Sequence, residues 1–357
     1  MGLTESLAWP DVLGRLTRGQ SLSAAEAEAT LGMVLEGAAT PAQIGAFLTL
    51  LHAKGETIEE VTGLARAMLA ASVPVVLEAG DEVVIDLVGT GGDRLRSINV
   101  TTLSALVVAG CGVKVCKHGN RAASSAVGTA DVLEALGVAI EIGPEGVARC
   151  VAEAGMGFCF AQRFHPAMRF IGPVRKELGV PTVFNFLGPL INPARVAYQF
   201  VGVSDPAMAP LMANVLGMTG SQKAMIFFAD DGLDELSVTS PSSVLELNGD
   251  GAGSYDLGEW RVDPTALGFP RATMEDLRGG DAAFNAGVIR SVLGGERSAR
   301  RDIAVLNAAA ALMVAGRVPG LAAGIELAAE AIDGGGAAAV LDALVTTSQA
   351  VRRLEQG

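Results

Sequence analysis

Apolar residues recur at helical spacing in four early stretches, Trp9–Arg15, Ala24–Leu35, Pro41–Lys54 and Ile58–Ala71. They predict a small helical bundle over residues 1–75. Start signals agree: Ser23 stands before Ala24-Ala25-Glu26, Thr40 precedes Pro41, and Thr57 with Glu60 spells a capping box. Ser72–Glu82, broken by Pro74 and Gly80-Asp81, reads as a linker. Beyond it the pattern changes. Short apolar runs at Val83–Val88, Val113–Cys116, Phe158–Ala161, Val201–Val203 and Lys223–Phe228 alternate with helical stretches. That alternation predicts an α/β domain over residues 76–357 around a central, mostly parallel sheet. Val238–Val262 alternates polar and apolar residues between Gly and Asp turns and predicts hairpins. From Ala282 onward the chain is Ala-rich helix with Gly breaks, expected to pack on the sheet and to carry no chemistry.

Two turns of this pattern carry candidate chemistry. After Val83–Val88, which only Asp86 interrupts, Gly89-Thr90-Gly91-Gly92-Asp93 lets the backbone turn tightly and approach a ligand. Asn99, Thr101 and Thr102 open the apolar helix Leu103–Ala109, where unpaired N–H groups and the helix dipole favour an anion. After Val113–Cys116, Lys117-His118-Gly119-Asn120-Arg121 is expected to leave the strand end, and Ser124 and Ser125 to open the helix carrying Asp131–Leu136. Two such cradles at adjacent strand ends suggest a ligand with more than one phosphate group. A third polar turn, Asp230-Asp231-Gly232-Leu233-Asp234-Glu235, follows the apolar run Lys223–Phe228 and offers adjacent carboxylates.

These residues resemble one family closely. GTGGD at 89–93, N-x-[ST]-T at 99–102, KHGNR-x-x-SS at 117–125, the run T-[IV]-FN-x-LGPL-x-NP at 182–193 and DGLDE-[LIV]-[ST] at 231–237 are similar to the anthranilate phosphoribosyltransferases. The resemblance extends to PAQIGAFLTLLHAKGETIEEVTGLARAML in the helical bundle. It implies a nucleoside-phosphorylase/phosphoribosyltransferase-like fold, with a segment near 165–190 crossing back to the helical domain and a homodimer formed through that domain. The implied reaction moves the phosphoribosyl group of phosphoribosyl pyrophosphate to the amine of anthranilate. Implied contacts to phosphoribosyl pyrophosphate come from Gly89, Gly92, Asp93, Ser97, Asn99, Val100, Thr101, Thr102, Lys117, His118, Gly119, Asn120, Arg121, Ala122, Ala123, Ser124, Ser125 and Thr129. For anthranilate they come from Gly89, Asn120, His118, His165 and Arg175, whose planar fork suits a carboxylate. Thr101, Asp234 and Glu235 are the implied ligands of Mg²⁺, with two ions expected, and Lys117, Asp234 and Glu235 are the implied catalytic groups. Departures from the pattern are Arg94 after GTGGD, Gln162 for a common proline, and Phe228-Ala229 for a common His-Gly. Arg94 and Arg96 are expected on a loop, 93–98, that closes over bound substrate.

Composition narrows the rest. The net charge of −13 disfavours nonspecific association with nucleic acid or anionic membrane, so phosphates must be held by local positive groups. Cys111, Cys116, Cys150 and Cys159 form no C-x-x-C pair, which suits reduced core thiols in a cytoplasmic protein. The uncharged stretch Leu178–Ala194 contains three prolines and is a poor membrane span. Two other functions match the motifs less well. A pyrimidine-nucleoside phosphorylase would carry KHSTGGVGDK, which is absent. A nucleic-acid-binding relative would not need the acidic pair or KHGNR. A substituted anthranilate as acceptor stays open.

Overall fold

A computed structural model describes residues 8–78, 80, 82–92, 95–122 and 127–356. Four helices come first: α1 (Trp9–Thr17), α2 (Ala24–Leu35), α3 (Pro41–Lys54) and α4 (Ile58–Ala70). Ser23, Thr40 and Thr57 each close a reciprocal capping box with Glu26, Gln43 and Glu60, satisfying amides that would otherwise lack partners. Glu60 is fully buried and also accepts the Leu22 amide (2.9 Å) and pairs with Lys54 (2.8 Å). A charge this deep survives because every oxygen is used.

The chain then builds one sheet. β1 (Val84–Gly89), α5 (Val100–Gly110), β2 (Lys114–Gly119), α6 (Thr129–Ala135), α7 (Pro144–Ala154) and β3 (Met156–Phe160) form its first half. After α8 (Ala161–Phe164), α9 (Met168–Leu178) and two 3₁₀ turns at 183–185 and 188–190 come β4 (Tyr198–Gly202), α10 (Met208–Met218) and β5 (Lys223–Ala229). β6 (Ser242–Gly249) and β7 (Tyr255–Val262) are the expected hairpin. α11 (Ala282–Leu293), α12 (Ala299–Val314), α13 (Leu321–Asp333) and α14 (Gly336–Gln356) complete the chain. The seven strands run in the order β3-β2-β1-β4-β5-β6-β7, parallel from β3 to β5 and antiparallel at β6 and β7. The order reverses direction between β1 and β4, where α/β sheets open a crevice at their carboxyl ends.

The two faces of the sheet feed different cores. Ile85 and Leu87 join α5, α7 and the last four helices in one apolar cluster. Val88, Val201, Ile226 and Leu245 point the other way and share a cluster with α1–α4, α9 and α10. The bundle is thus packed on the sheet through Ile171, Val174 and the 183–191 segment.

Three expectations need correction. β2 does not stop at Cys116 but continues through Gly119, because Lys117, His118 and Gly119 pair with Phe158, Cys159 and Phe160 of β3. The helical segment that Phe164-His165-Pro166 is expected to start and carry to Leu178 is interrupted instead: α8 ends at Phe164 and α9 begins at Met168, since proline disfavours helix in the residue before it. The carboxyl-terminal helices are not chemically silent, as the site shows.

Candidate active site

Elements from five parts of the chain meet at the carboxyl ends of β1, β4 and β5. Asp234 and Glu235 follow β5 and are 8% and 6% exposed, so the pair is held inside rather than on a solvated turn. The Asp234 carboxylate accepts the Gly91 amide at 2.7 Å, and Glu235 Oε1 accepts the Thr101 amide at 3.2 Å. The acidic pair therefore clamps the glycine turn to the amino end of α5, where the helix dipole favours negative charge. Glycine is required for this approach: a Cβ on Gly89 would lie 2.4 Å from Asp234 Oδ2, and one on Gly202 would lie 1.7 Å from the Asp234 carbonyl oxygen. Gly91 and Gly92 both sit at positive φ (68° and 87°), where a side chain would be strained. Ser204 fastens the same turn, its hydroxyl donating to the Gly91 carbonyl at 2.8 Å.

Lys117 lies beneath this pair, 1% exposed, with its ammonium on the Leu87 carbonyl. Burial pulls its pKa down, and Asp86, Glu235 and Asp234 push it back up. It works as an internal counter-charge to three carboxylates. Asp86, unremarked as a site residue in the sequence, is fully buried and accepts from the His118 amide (3.0 Å) and the Asn192 side-chain amide (2.8 Å). Burial raises its pKa to about 6 despite Lys117 and those two donors.

His118 and His165 meet edge to face, with ring centroids 5.2 Å apart. His118 Nδ1 is 3.1 Å from the Gly188 carbonyl, which makes it the protonated nitrogen. Burial lowers His118 to about 3, helped by His165 and Lys117, and burial alone lowers His165 to about 4. Both are neutral at pH 7. Arg175 on α9 donates to Asn185 Oδ1 (3.2 Å) and lies over the Phe184 ring. The Asn120 side-chain oxygen accepts the Arg121 amide at 2.8 Å and stands 3.5 Å from Gln162 Nε2, so this departure from the family pattern reaches a site residue.

Other expected contacts are placed differently. Arg121 is committed to Asp131 (2.9 Å) and Glu134 (2.5 Å) of α6. Asp131 also accepts the amides of Ala122 and Gly128, which fixes the second turn where it enters α6. Thr102 and Thr129 hydroxyls lie 3.4 Å apart. Val100 is buried at the start of α5, and Gly119 ends β2. Ser97 bridges Arg278, while the Ile98 amide donates to Leu277 and the Gly279 amide to Arg96. The described part of loop 93–98 is therefore already anchored rather than open. Asp93, Arg94, Ala123, Ser124 and Ser125 lie outside the described residues.

The carboxyl-terminal helices reach into this site through two asparagines. Asn307 of α12 accepts the Leu236 amide (2.9 Å) and donates to the Leu236 carbonyl (2.8 Å), gripping the residue after the acidic pair. Asn285 of α11 donates to Asn99 Oδ1 at 2.9 Å, just ahead of α5. The only sequence signal for either is an amide inside an otherwise apolar helix.

A helical bundle packed on a mostly parallel sheet, with two backbone turns and a buried acidic pair at its crevice, defines a glycosyltransferase of the phosphoribosyl-transferring kind. Two family models agree, the helical bundle domain of a glycosyl transferase family over residues 10–72 and its a/b domain over residues 81–338. The anthranilate phosphoribosyltransferase of Salinispora arenicola is 50% identical over 350 residues, covering 96% of this chain and 98% of its own. That of Thermomicrobium roseum is 48% identical over 344 residues, with 96% and 98% covered. The crystal structure of the Thermus thermophilus enzyme matches with a TM-score of 0.87 at 39% identity, over 95% of this chain and 99% of that one. The Saccharomyces cerevisiae enzyme in complex with phosphoribosyl pyrophosphate and Mg also gives 0.87, at 26% identity over 97% and 99%. The chain belongs to the anthranilate phosphoribosyltransferase family.

Proposed function

We propose that this chain transfers the phosphoribosyl group of phosphoribosyl pyrophosphate to the amine of anthranilate, releasing pyrophosphate, as a step of tryptophan biosynthesis. The observation that carries it is the buried Asp234-Glu235 pair bound to the Gly91 and Thr101 amides. Those two bonds fix the carboxylates between the glycine turn and the amino end of α5, the two elements expected to hold a polyphosphate. The donor set fits Mg²⁺, which takes hard oxygens and keeps waters, so two carboxylates and the Thr101 hydroxyl complete a site together with phosphate oxygens. When bound, the metal supplies charge neutralisation on the leaving pyrophosphate. Two ions are our reading of the adjacent carboxylates.

The reaction breaks the bond from the anomeric carbon to the pyrophosphate oxygen and forms one to the anthranilate nitrogen, which then sheds a proton. The aromatic amine is neutral at pH 7 and needs no strong base. The neutral His118 and His165 accordingly serve to position the acceptor rather than to move protons. Arg175 binds the anthranilate carboxylate, and the glycines of 89–92 hold the leaving group. Residues 1–75 and 76–357 act as two domains hinged at the 165–190 crossover, and two copies pair through the helical domain in the cytoplasm. Anthranilate fluorescence should fall, with stoichiometric pyrophosphate release, when phosphoribosyl pyrophosphate and Mg²⁺ are added. Binding of phosphoribosyl pyrophosphate without pyrophosphate release from anthranilate would assign another acceptor.

A further inference from the structure

The sheet splits at its carboxyl end. β1 pairs with β4 as far as Gly89 and Gly202, and β2 pairs with β3 as far as Gly119 and Phe160. Between β1 and β2, however, pairing is confined to Val84 with Lys114 and Ile85 with Val115. Beyond Ile85 the strand leading to the Gly89–Gly92 turn and the strand carrying His118 are no longer joined by a ladder. We propose, resting on the transfer proposed above, that Asp86 and Asn192 are positioning residues of the reaction, which hold this split open and set the spacing of the two substrates.

The Val115 amide donates to Gly155 on the β3 side (2.9 Å), so the backbone groups of Cys116 and His118 face β1. The Thr90 amide donates to Gly202 of β4 (2.9 Å), so those of Leu87 face β2. Continuing the register would bond the Leu87 amide to the Cys116 carbonyl and the His118 amide to the Leu87 carbonyl. Side chains take these groups instead. Asp86 Oδ1 accepts the His118 amide (3.0 Å), Lys117 donates to the Leu87 carbonyl, and Asn192 Nδ2 donates to the Cys116 carbonyl (2.8 Å). The Leu87 amide pulls more weakly on the Asp86 carboxylate. The same Asn192 nitrogen donates to Asp86 Oδ2 (2.8 Å), and Asn192 Oδ1 accepts the Ala194 amide (2.9 Å), which ties the wedge to the loop ahead of β4. Asp86, Lys117 and Asn192 are all buried, so the polar groups along the split are satisfied within the protein. A continued ladder would need no charge here. Keeping a carboxylate and an ammonium inside the sheet is costly, and its geometric product is that the ends of β1 and β2 stay apart.

The split separates the two halves of the site. β1 leads into the turn that Asp234 clamps, on the leaving-group side, and β2 leads into His118 and Asn120, on the acceptor side. Transfer requires the amine and the anomeric carbon at near-contact distance, and a displacement of about 1 Å can cost on the order of 10²-fold in rate.

The test separates kcat from affinity in Asn192→Ala, which alters no charge. Its kcat should fall about 10- to 100-fold. The Kd of phosphoribosyl pyrophosphate with Mg²⁺, read by calorimetry, and the anthranilate KM should stay within about threefold of wild type, since only the relation between the substrates changes. The nearly isosteric Asp86→Asn should also lower kcat, and the double variant should lose no more than the weaker single, because the two side chains act as one unit. A second readout does not depend on turnover. The chain has only three histidines, so the His118 ring can be followed by NMR in histidine-labelled protein. Both variants should move its signals and leave those of His52, on α3, in place. Should Asn192→Ala fail to fold, Asp86→Asn carries the kcat and NMR measurements. A loss confined to thermal stability, with kcat of the folded enzyme unchanged, would overturn the wedge. So would a rise in one substrate's KM or Kd at constant kcat, additive losses in the double variant, or an unmoved His118 signal. Wild-type binding of phosphoribosyl pyrophosphate without transfer to anthranilate would count against the acceptor assigned above, and the NMR readout would still decide the wedge.

Discussion

In the proposed reaction Glu235 and Arg175 are assigned to different substrates, and substitution should separate them. Glu235→Gln keeps an oxygen for the Thr101 amide but removes the charge, so kcat should fall about 10²-fold with the fold intact. Steady-state turnover across a Mg²⁺ series checks it, and wild-type Mg²⁺ dependence would take the acidic loop out of the reaction. Arg175→Ala should raise the anthranilate KM by the equivalent of about 2–3 kcal/mol while sparing phosphoribosyl pyrophosphate. An equal rise for both substrates would mean that Arg175 only steadies Asn185 and Phe184. The buried histidines predict a pH dependence of stability. Their folded pKa values lie below the ordinary histidine value, so the unfolded chain binds more protons between about pH 6.5 and pH 4. Their contribution is therefore present at neutral pH and lost as pH falls, by about 2 kcal/mol per histidine at pH 5. Asp86 works the opposite way, because its raised pKa favours the folded state as pH falls below about 6. Comparing denaturant unfolding of the wild type with His165→Leu at pH 7 and pH 5 cancels the Asp86 part. The gap between the two proteins should shift by that amount in favour of the variant at pH 5.

Elements far apart in the chain hold the acidic loop in place. Its entry is fixed by the end of β4, where Gly202 leaves no room for a Cβ against the Asp234 carbonyl. Its exit is fixed by α12 through Asn307, whose amide takes both backbone groups of Leu236. Asn307→Leu leaves a buried N–H and a buried C=O unmade, which should cost on the order of 3 kcal/mol of stability. It should also raise the Mg²⁺ concentration needed for half-maximal rate, because the carboxylates lose their fixed geometry. Thermal unfolding and a Mg²⁺ titration of the same variant separate the two effects. A stability loss with unchanged Mg²⁺ dependence would confine Asn307 to packing. The segment 95–98 is tied to the 277–279 segment by the Ile98 amide on the Leu277 carbonyl and the Gly279 amide on the Arg96 carbonyl. Anchoring of this kind reduces what substrate binding must order, and so favours tight positioning of Asn99 and Thr101.

At the scale of the whole molecule, one apolar cluster runs from the helical bundle through α9 and α10 onto a face of the sheet. Ile171, Val174 and Phe186 of that cluster join the helical bundle to the sheet, so any hinge at the proposed 165–190 crossover would have to repack them. The homodimer proposed above is checked by light scattering on the eluting protein, which should report twice the 36.4 kDa of one chain. A monomer at micromolar concentration that retains full activity would remove the dimer from the mechanism. No helix among the described residues is long and apolar enough to cross a membrane.

The four amino-terminal helices, the alternating strands, the hairpin and the Gly89–Gly92 turn were readable because each rests on local spacing: 3.6 or 2 residues, a cap, a glycine run. Gly89-Thr90-Gly91-Gly92 and Asp234-Glu235 declared themselves by motif for the same reason. Tertiary structure alone decided who stands beside whom. Lys117 read as a cation leaving a strand end, but pairing of β2 with β3 draws it inside the sheet and makes it a counter-charge for Asp86, Asp234 and Glu235. Arg121 read as a phosphate contact, and α6 brings Asp131 and Glu134 to it first. Asn307, Asn285 and Asn192 carry no local pattern that names a partner. A single amide in an apolar run becomes a clamp or a wedge only through what the fold packs against it, and a buried polar group takes its meaning from its partner.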